Sequence, residues 1–184
     1  EMGAVQPVRE IAKALRRTEN KVLLHTDASQ APLWMDLKVE KLGVDMMTLD
    51  AQKIMGPKGI GVLYIKRGTL IDPIMWGGGQ ERGRRAGTQS AAAAASFAVA
   101  LSDAQSGAAK RTIKVAKVRD FLLAEIQKVL PDVVVHGPSG ASRVANNLNL
   151  PIPGLDGQMC VVAMDAQGVA ISTRSACSTD RSAA

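Results

Sequence analysis

Aromatic residues are nearly missing from this 184-residue chain: Trp, Tyr and Phe together make up 3% of it. Lys and Arg outnumber Asp and Glu by 23 to 17, a formal net charge of +6, yet too few rings are present to interleave with those cations as base-stacking platforms. The charge therefore reads as solvated surface, suited to an acidic protein partner or an anionic cofactor and not to direct nucleic-acid contact. Cysteine is scarce as well. The two thiols, Cys160 and Cys177, build no disulfide framework and fit a reducing compartment. The longest apolar run, Ala91 to Leu101, is alanine-rich and interrupted by Ser96, well short of the roughly 20 residues that a membrane span needs. No basic-then-apolar leader opens the chain, which begins Glu1-Met2-Gly3 and is expected to be an internal piece of a longer polypeptide. What is present, at 46% hydrophobic with eight methionines, is enough for an aliphatic, methionine-padded globular core.

The most informative stretch is MTLDAQKIMGPKGIGVLYI, Met47 to Ile65. It reads as a short strand, a polar turn carrying Lys53, a glycine-rich loop and a second strand. Pro57 and the glycines at 56, 59 and 61 specify a tight, non-helical path. A lysine fixed at a strand end beside such a loop can form a Schiff base; a plain surface lysine before a turn is the alternative. Upstream, Pro7 to Leu15 has helical apolar spacing with Pro7 in the first turn. Val22 to Asp27 reads as a short buried parallel strand ending in a carboxylate. Asp36 to Leu42 reads as a brief helix stopped by Gly43, and Val44 to Leu49 as the strand that delivers Lys53. Strands separated by helical patterns predict an α/β unit with a mainly parallel sheet, whose ligands gather at strand C-terminal ends. Asp27 and Lys53 both fall there.

The segment from Trp76 to Gln89, WGGGQERGRRAGTQ, combines free backbone N–H groups, cations and the Thr88 hydroxyl. That suits anion contact, or a flexible linker. Ala91 to Ala104 is helical by propensity, a break is expected at Ser106-Gly107, and Ile113 to Leu130 continues as an amphipathic helix. Beyond it, Val133–His136, Asn147–Leu150 and Val169–Ser172 read as strands and Asp156–Gln167 as a helix, the start of a smaller α+β domain. Cys160 lies in an apolar run and reads as a buried hydrophobe. Cys177 does not: its polar flanks predict exposure, and Arg174 nearby modestly favours the thiolate.

With those residues in place, the chain resembles the cysteine desulfurases, enzymes of the aspartate-aminotransferase fold that use pyridoxal phosphate. The likeness runs over essentially all of the chain. HTDASQ at 25–30 is similar to the family's strand end, QKIMGPKGIGVLY at 52–64 to its Schiff-base lysine segment, and GGGQERGRRAGT at 77–88 to its phosphate loop. NNLNL at 146–150 and SACS at 175–178 are similar to its small domain and sulfur-accepting cysteine loop, of the long type found in the housekeeping iron–sulfur branch. The resemblance implies that Asp27 meets the pyridine nitrogen and Gln30 the ring oxygen. It implies that Lys53 carries the cofactor and shuttles the Cα proton, that Gln52 donates to the phosphate, and that Thr88 reaches the phosphate of a partner subunit. Cys177 would take sulfur from L-cysteine as a persulfide, release alanine, and pass the sulfur to an acceptor or iron–sulfur scaffold protein, or toward tRNA thiolation. A cytoplasmic homodimer is implied, with residues 1–107 as the end of the cofactor-binding domain, 108–130 a connecting helix, and 131–184 part of the small domain. Where the family has Ser or Thr, a small residue and His before the lysine, Asp50, Ala51 and Gln52 stand here. The family's upstream cofactor-cradling segments and its later substrate-gripping arginine have no counterpart in these residues, so this piece alone is expected to be inactive or feeble. His25 reads as a packed strand residue. A selenocysteine lyase of the same fold, or a non-catalytic module that carries persulfide or docks partners, are the competing readings.

Overall fold

A computed structural model describes residues 2–173; the segment with Arg174 and Cys177 lies outside the described residues. Two compact units divide the chain, one of Gln6–Lys114 and one holding residues up to Val5 together with those from Val115 onward. The first is an α/β unit. Its sheet has strand order β1 (His25–Asp27), β2 (Met46–Asp50), β3 (Gly61–Ile65). β1 pairs parallel to β2, with Thr26 opposite Met47 and Asp27 opposite Thr48. β3 returns antiparallel, with Asp50 opposite Gly61 and Met46 opposite Ile65. The period of two decides the faces: Met47 and Leu49 are buried, whereas Thr48 and Asp50 between and beyond them are only half-buried. β1 is shorter than its apolar run suggested. Val22 and Leu23 are about half exposed, because β1 is the edge of the described sheet and has a strand on one side only.

Helix α1 (Val8–Leu15) starts after Pro7 and buries Ala12. Helix α2 is confined to Val39–Leu42 and ends at Gly43, which takes a left-handed φ of 75°. The expected start at Asp36 is not helical, because the Asp36 carboxylate is engaged with the Lys38 N–H at 3.1 Å and the Lys41 ammonium at 2.7 Å.

Helix α3 runs unbroken from Ala91 to Val129, 39 residues. The break expected at Ser106-Gly107 does not occur. One glycine costs a helix only about 1 kcal/mol relative to alanine, and the strong helix formers on both sides outweigh it. Phe97, Ala100, Leu101 and Ala104 follow the i, i+3, i+4, i+7 spacing of a single helix face. They cluster with Val44, Met47, Leu49, Ala51 and Ile54 in the core of this unit.

In the second unit the segments 133–136, 147–150 and 169–172 were expected to be strands, and none joins a ladder. The first two share a single backbone bond, His136 N–H to Asn149 O at 2.9 Å. The carbonyls of His136 and Asn147 are engaged by a side chain instead. The Arg143 guanidinium, 8% exposed, donates to the carbonyls of His136, Pro138 and Asn147. A strand needs a continuous row of partners, and a side chain inserted among those carbonyls takes the row's place. The backbone around Arg143 also pairs with the chain start: Val5 N–H meets Ser142 O and Val144 N–H meets Gly3 O, each at 2.8 Å. Helix α4 (Gly157–Asp165) begins at Asp156, whose Oδ1 accepts the Gln158 and Met159 N–H groups. Cys160, on α4, is half-buried instead of fully buried. No helix among the described residues is long and apolar enough to cross a membrane.

Candidate functional site

Because β1 and β2 run parallel in register, Asp27 and Asp50 end neighbouring strands at the same edge of the sheet. Asp27 is held as an anion there. The Ser29 hydroxyl and N–H donate to its Oδ1 at 2.6 and 2.9 Å. These two bonds, with a smaller contribution from the charge of His25, hold its carboxyl below the ordinary 3.8 against a slight opposing effect of burial. Asp27 Oδ2 takes no hydrogen bond among the described residues. His25 shares the Asp27 face by strand alternation. It is exposed, with Nε2 2.7 Å from Thr48 Oγ1, and so is not the packed residue the sequence suggested. Gln30 is exposed in the next turn, which closes through Ala31 N–H to Ala28 O at 2.9 Å, while Ala28 N–H meets Thr48 O on β2.

Lys53 is placed by the two residues that flank it toward the core. Asp50 Oδ1 accepts the Gln52 N–H at 3.0 Å and starts a single 3-10 turn, Gln52–Ile54. Ala51 and Ile54 point inward, 0% and 3% exposed, which leaves Gln52 and Lys53 on the outer side, both exposed. The turn ends with Met55 at a left-handed φ of 63°, and Gly56 N–H closes back on Ala51 O at 2.8 Å. Asp50 is thus used within the turn as its hydrogen-bond acceptor, a role its sequence position alone did not disclose. Ser29 was also missed; the Asp-x-Ser spacing that permits an Asx turn was the available signal.

Thr88 is exposed on the loop before α3. That loop is shaped by Ala86 N–H to Met75 O and Gly87 N–H to Gln80 Oε1, with Glu81 and Arg82 at positive φ. No hydrogen bond among the described residues ties Thr88 to Asp27, Gln30 or Lys53. A cleft of about 330 Å³ lined by Arg16, Leu24, Asp45 and Lys66 lies toward the opposite ends of β1 and β2 and shares no residue with this group. Among the described residues no cluster of three or more His, Cys, Asp or Glu side chains is placed to hold a metal ion.

The strand-end group therefore offers a fixed anionic acceptor, an exposed amide donor and an exposed primary amine on one rim of an α/β unit. The chain belongs to the aminotransferase class-V family, whose model matches residues 1–183. Among curated relatives, it is 36% identical to the cysteine desulfurase IscS of Dictyoglomus turgidum over 179 residues, 97% of this chain and 45% of that protein. It is 34% identical to the cysteine desulfurase NifS of Azotobacter vinelandii, covering 97% of this chain and 44% of that one. Among solved structures, a NifS-like protein superposes with a TM-score of 0.87 at 30% identity, over 95% of this chain and 47% of that chain. DndA from Streptomyces lividans superposes with a TM-score of 0.73, also at 30% identity, over 90% of this chain and 47% of that one. The chain spans a little under half the length of these relatives.

Proposed function

We propose that this chain is part of a pyridoxal-phosphate-dependent cysteine desulfurase, which removes sulfur from L-cysteine, releases L-alanine and leaves a persulfide on Cys177. The observation that carries the reading is the in-register parallel pairing of β1 with β2, which sets the anionic Asp27 and the turn bearing Lys53 at one sheet edge. The donor set fits the cofactor. A carboxylate held ionised, with Oδ2 uncommitted, suits a protonated pyridine nitrogen; the exposed Gln30 amide suits a ring oxygen; Gln52 and the Thr88 of a second copy suit phosphate. When bound, pyridoxal phosphate supplies an electron sink for the substrate's Cα. The chain's own residues would divide the remaining work. Asp27 would keep the pyridine proton in place, and the Lys53 amine would hold the group and move the Cα proton. The Cys177 thiolate attacks the substrate sulfur, so that an S–S bond forms as the C–S bond breaks, with the electron pair and a proton returning to the carbon that becomes alanine. A sulfur-acceptor or iron–sulfur scaffold protein then takes the persulfide sulfur, for iron–sulfur assembly or tRNA thiolation. We place the homodimeric enzyme in the cytoplasm, with residues 1–107 in the cofactor-binding domain, 108–130 as connecting helix and 131–184 in the small domain.

The test is a visible absorption spectrum, with pyridoxal phosphate, of the protein extended upstream to its natural start, followed by borohydride reduction and peptide mapping. An adduct on Lys53 that disappears in Lys53→Ala is the expected result. A folded protein with no visible band, or an adduct on another lysine, refutes the assignment.

A further inference from the structure

Four consecutive backbone carbonyls, those of Pro32, Leu33, Trp34 and Met35, are each met by a side chain of α3. Gln105 Nε2 donates to Pro32 O at 2.7 Å and Met35 O at 2.9 Å, Arg111 Nη1 to Leu33 O at 2.8 Å, and Thr112 Oγ1 to Trp34 O at 2.9 Å. Gln105 Oε1 in turn accepts the Leu37 N–H at 3.1 Å. The carbonyls belong to one helical turn that does not continue, with Trp34 and Met35 N–H both donating to Ala31 O. A turn of that kind leaves its last carbonyls without main-chain partners, and leaving them unpaired in a partly buried place is costly. Gly107 provides the space for one of the donors: a Cβ there would lie 2.7 Å from Arg111 Nη2.

The held segment begins at Pro32, two residues after Gln30. On its other side, Ala28 N–H is bonded to Thr48 O of β2. The backbone that carries Gln30 is therefore pinned from the sheet at one end and from α3 at the other. We propose that Gln105, supported by Arg111 and Thr112, is a positioning residue: it holds the 28–37 segment so that the Gln30 amide meets the cofactor's ring oxygen beside Asp27. The proposal rests on the reading of Gln30 as a cofactor contact.

The test uses the protein extended upstream to its natural start and loaded with pyridoxal phosphate, and follows the pH titration of its visible band. A donor to the ring oxygen favours the unprotonated oxygen, so losing it moves the titration to higher pH. Gln30→Ala measures that effect directly. Gln105→Met should move the titration in the same direction, by roughly half a pH unit, and the double variant should move it no further than Gln30→Ala alone. In the cofactor-free protein, Gln105→Met should speed hydrogen exchange of the Leu37 amide on the order of tenfold. Thr112→Val and Thr112→Ser provide a near-isosteric second pair, the first shifting the titration and the second restoring it. A wild-type titration in Gln105→Met and Thr112→Val, while Gln30→Ala shifts it, overturns the proposal and leaves these contacts purely structural. A Gln30→Ala protein that binds cofactor with an unshifted titration instead removes the underlying reading of Gln30, and the proposal with it.

Discussion

Gly56 offers a direct test of how the Lys53 turn is held. A Cβ at this position would lie 2.9 Å from Ala51 O and 3.1 Å from the Cβ atoms of Ala51 and Ala100. The first of these is backbone and belongs to the fully buried Ala51, so it cannot retreat without moving the turn. Ala100 belongs to α3, which is packed in the same core. Overpacking of this kind costs about 1–3 kcal/mol. Alanine also restricts the unfolded chain, which returns about 0.4–1 kcal/mol. Gly56→Ala is therefore expected to be destabilised by about 1–2 kcal/mol net, a fall in Tm of about 3–6 °C for a chain of this size. Urea titration with an unchanged m-value is the assay. Trapping of pyridoxal phosphate on Lys53 should weaken in parallel, since the turn that must shift is the one that carries the lysine. Ala100→Gly introduced with Gly56→Ala should show favourable coupling, because one of the two Cβ clashes is then gone. A Gly56→Ala protein as stable as its parent, or more so, would refute the close-approach argument.

The other predictions concern single contacts. Ser29→Ala removes the strongest bond to Asp27, so that carboxyl should titrate closer to 3.8. A depressed carboxylate lends stability above its unfolded value and loses it as pH falls through its folded value. The variant should therefore be less stable than its parent near neutral pH, with the difference vanishing in acid, as urea titrations at the two pH values would show beside an NMR titration of Asp27. Arg143→Met leaves the carbonyls of His136 and Pro138 unpaired and should cost about 3 kcal/mol in chemical denaturation. Arg143→Lys should recover only part of that, because one ammonium cannot reproduce the planar fork. Asp156→Ala removes the acceptor for two N–H groups at the start of α4 and should cost about 1 kcal/mol.

Local punctuation was legible in the sequence. β3 falls where it was expected, at Gly61–Ile65, because glycines frame an apolar run, and the Lys53 turn was visible for the same reason. α1 and α4 were found within a residue or two through Pro7 and Asp156. What escaped depends on partners distant in the chain. Gln105 looks like any polar helix residue until the 32–37 segment is folded against it, and Arg143 like any surface cation. Ser106-Gly107 was a true local signal outweighed by its neighbours. The three segments read as strands beyond residue 131 have the right composition, but a strand exists only through what pairs with it. The Asp27 and Lys53 ends were legible because parallel α/β order predicts where strand C-termini collect.

The pairing of β2 with β3 also bears on the order in which the chain folds. Its residue pairs, from Asp50 with Gly61 outward to Met46 with Ile65, are close in sequence. The bonds from Gln105 to the 32–37 segment instead close separations of 68 to 73 residues. Short closures cost less entropy and form sooner, a hairpin in about 1–10 μs. The hairpin can pair before α3 has docked, so the strands flanking the Lys53 turn meet early, while the burial of Ala51 and Ile54 and the segment bearing Gln30 wait for the helix. The hairpin around Lys53 is thus expected to pair first, and a variant that slows the docking of α3 should show that pairing formed while the Gln30 side of the rim is still unarranged.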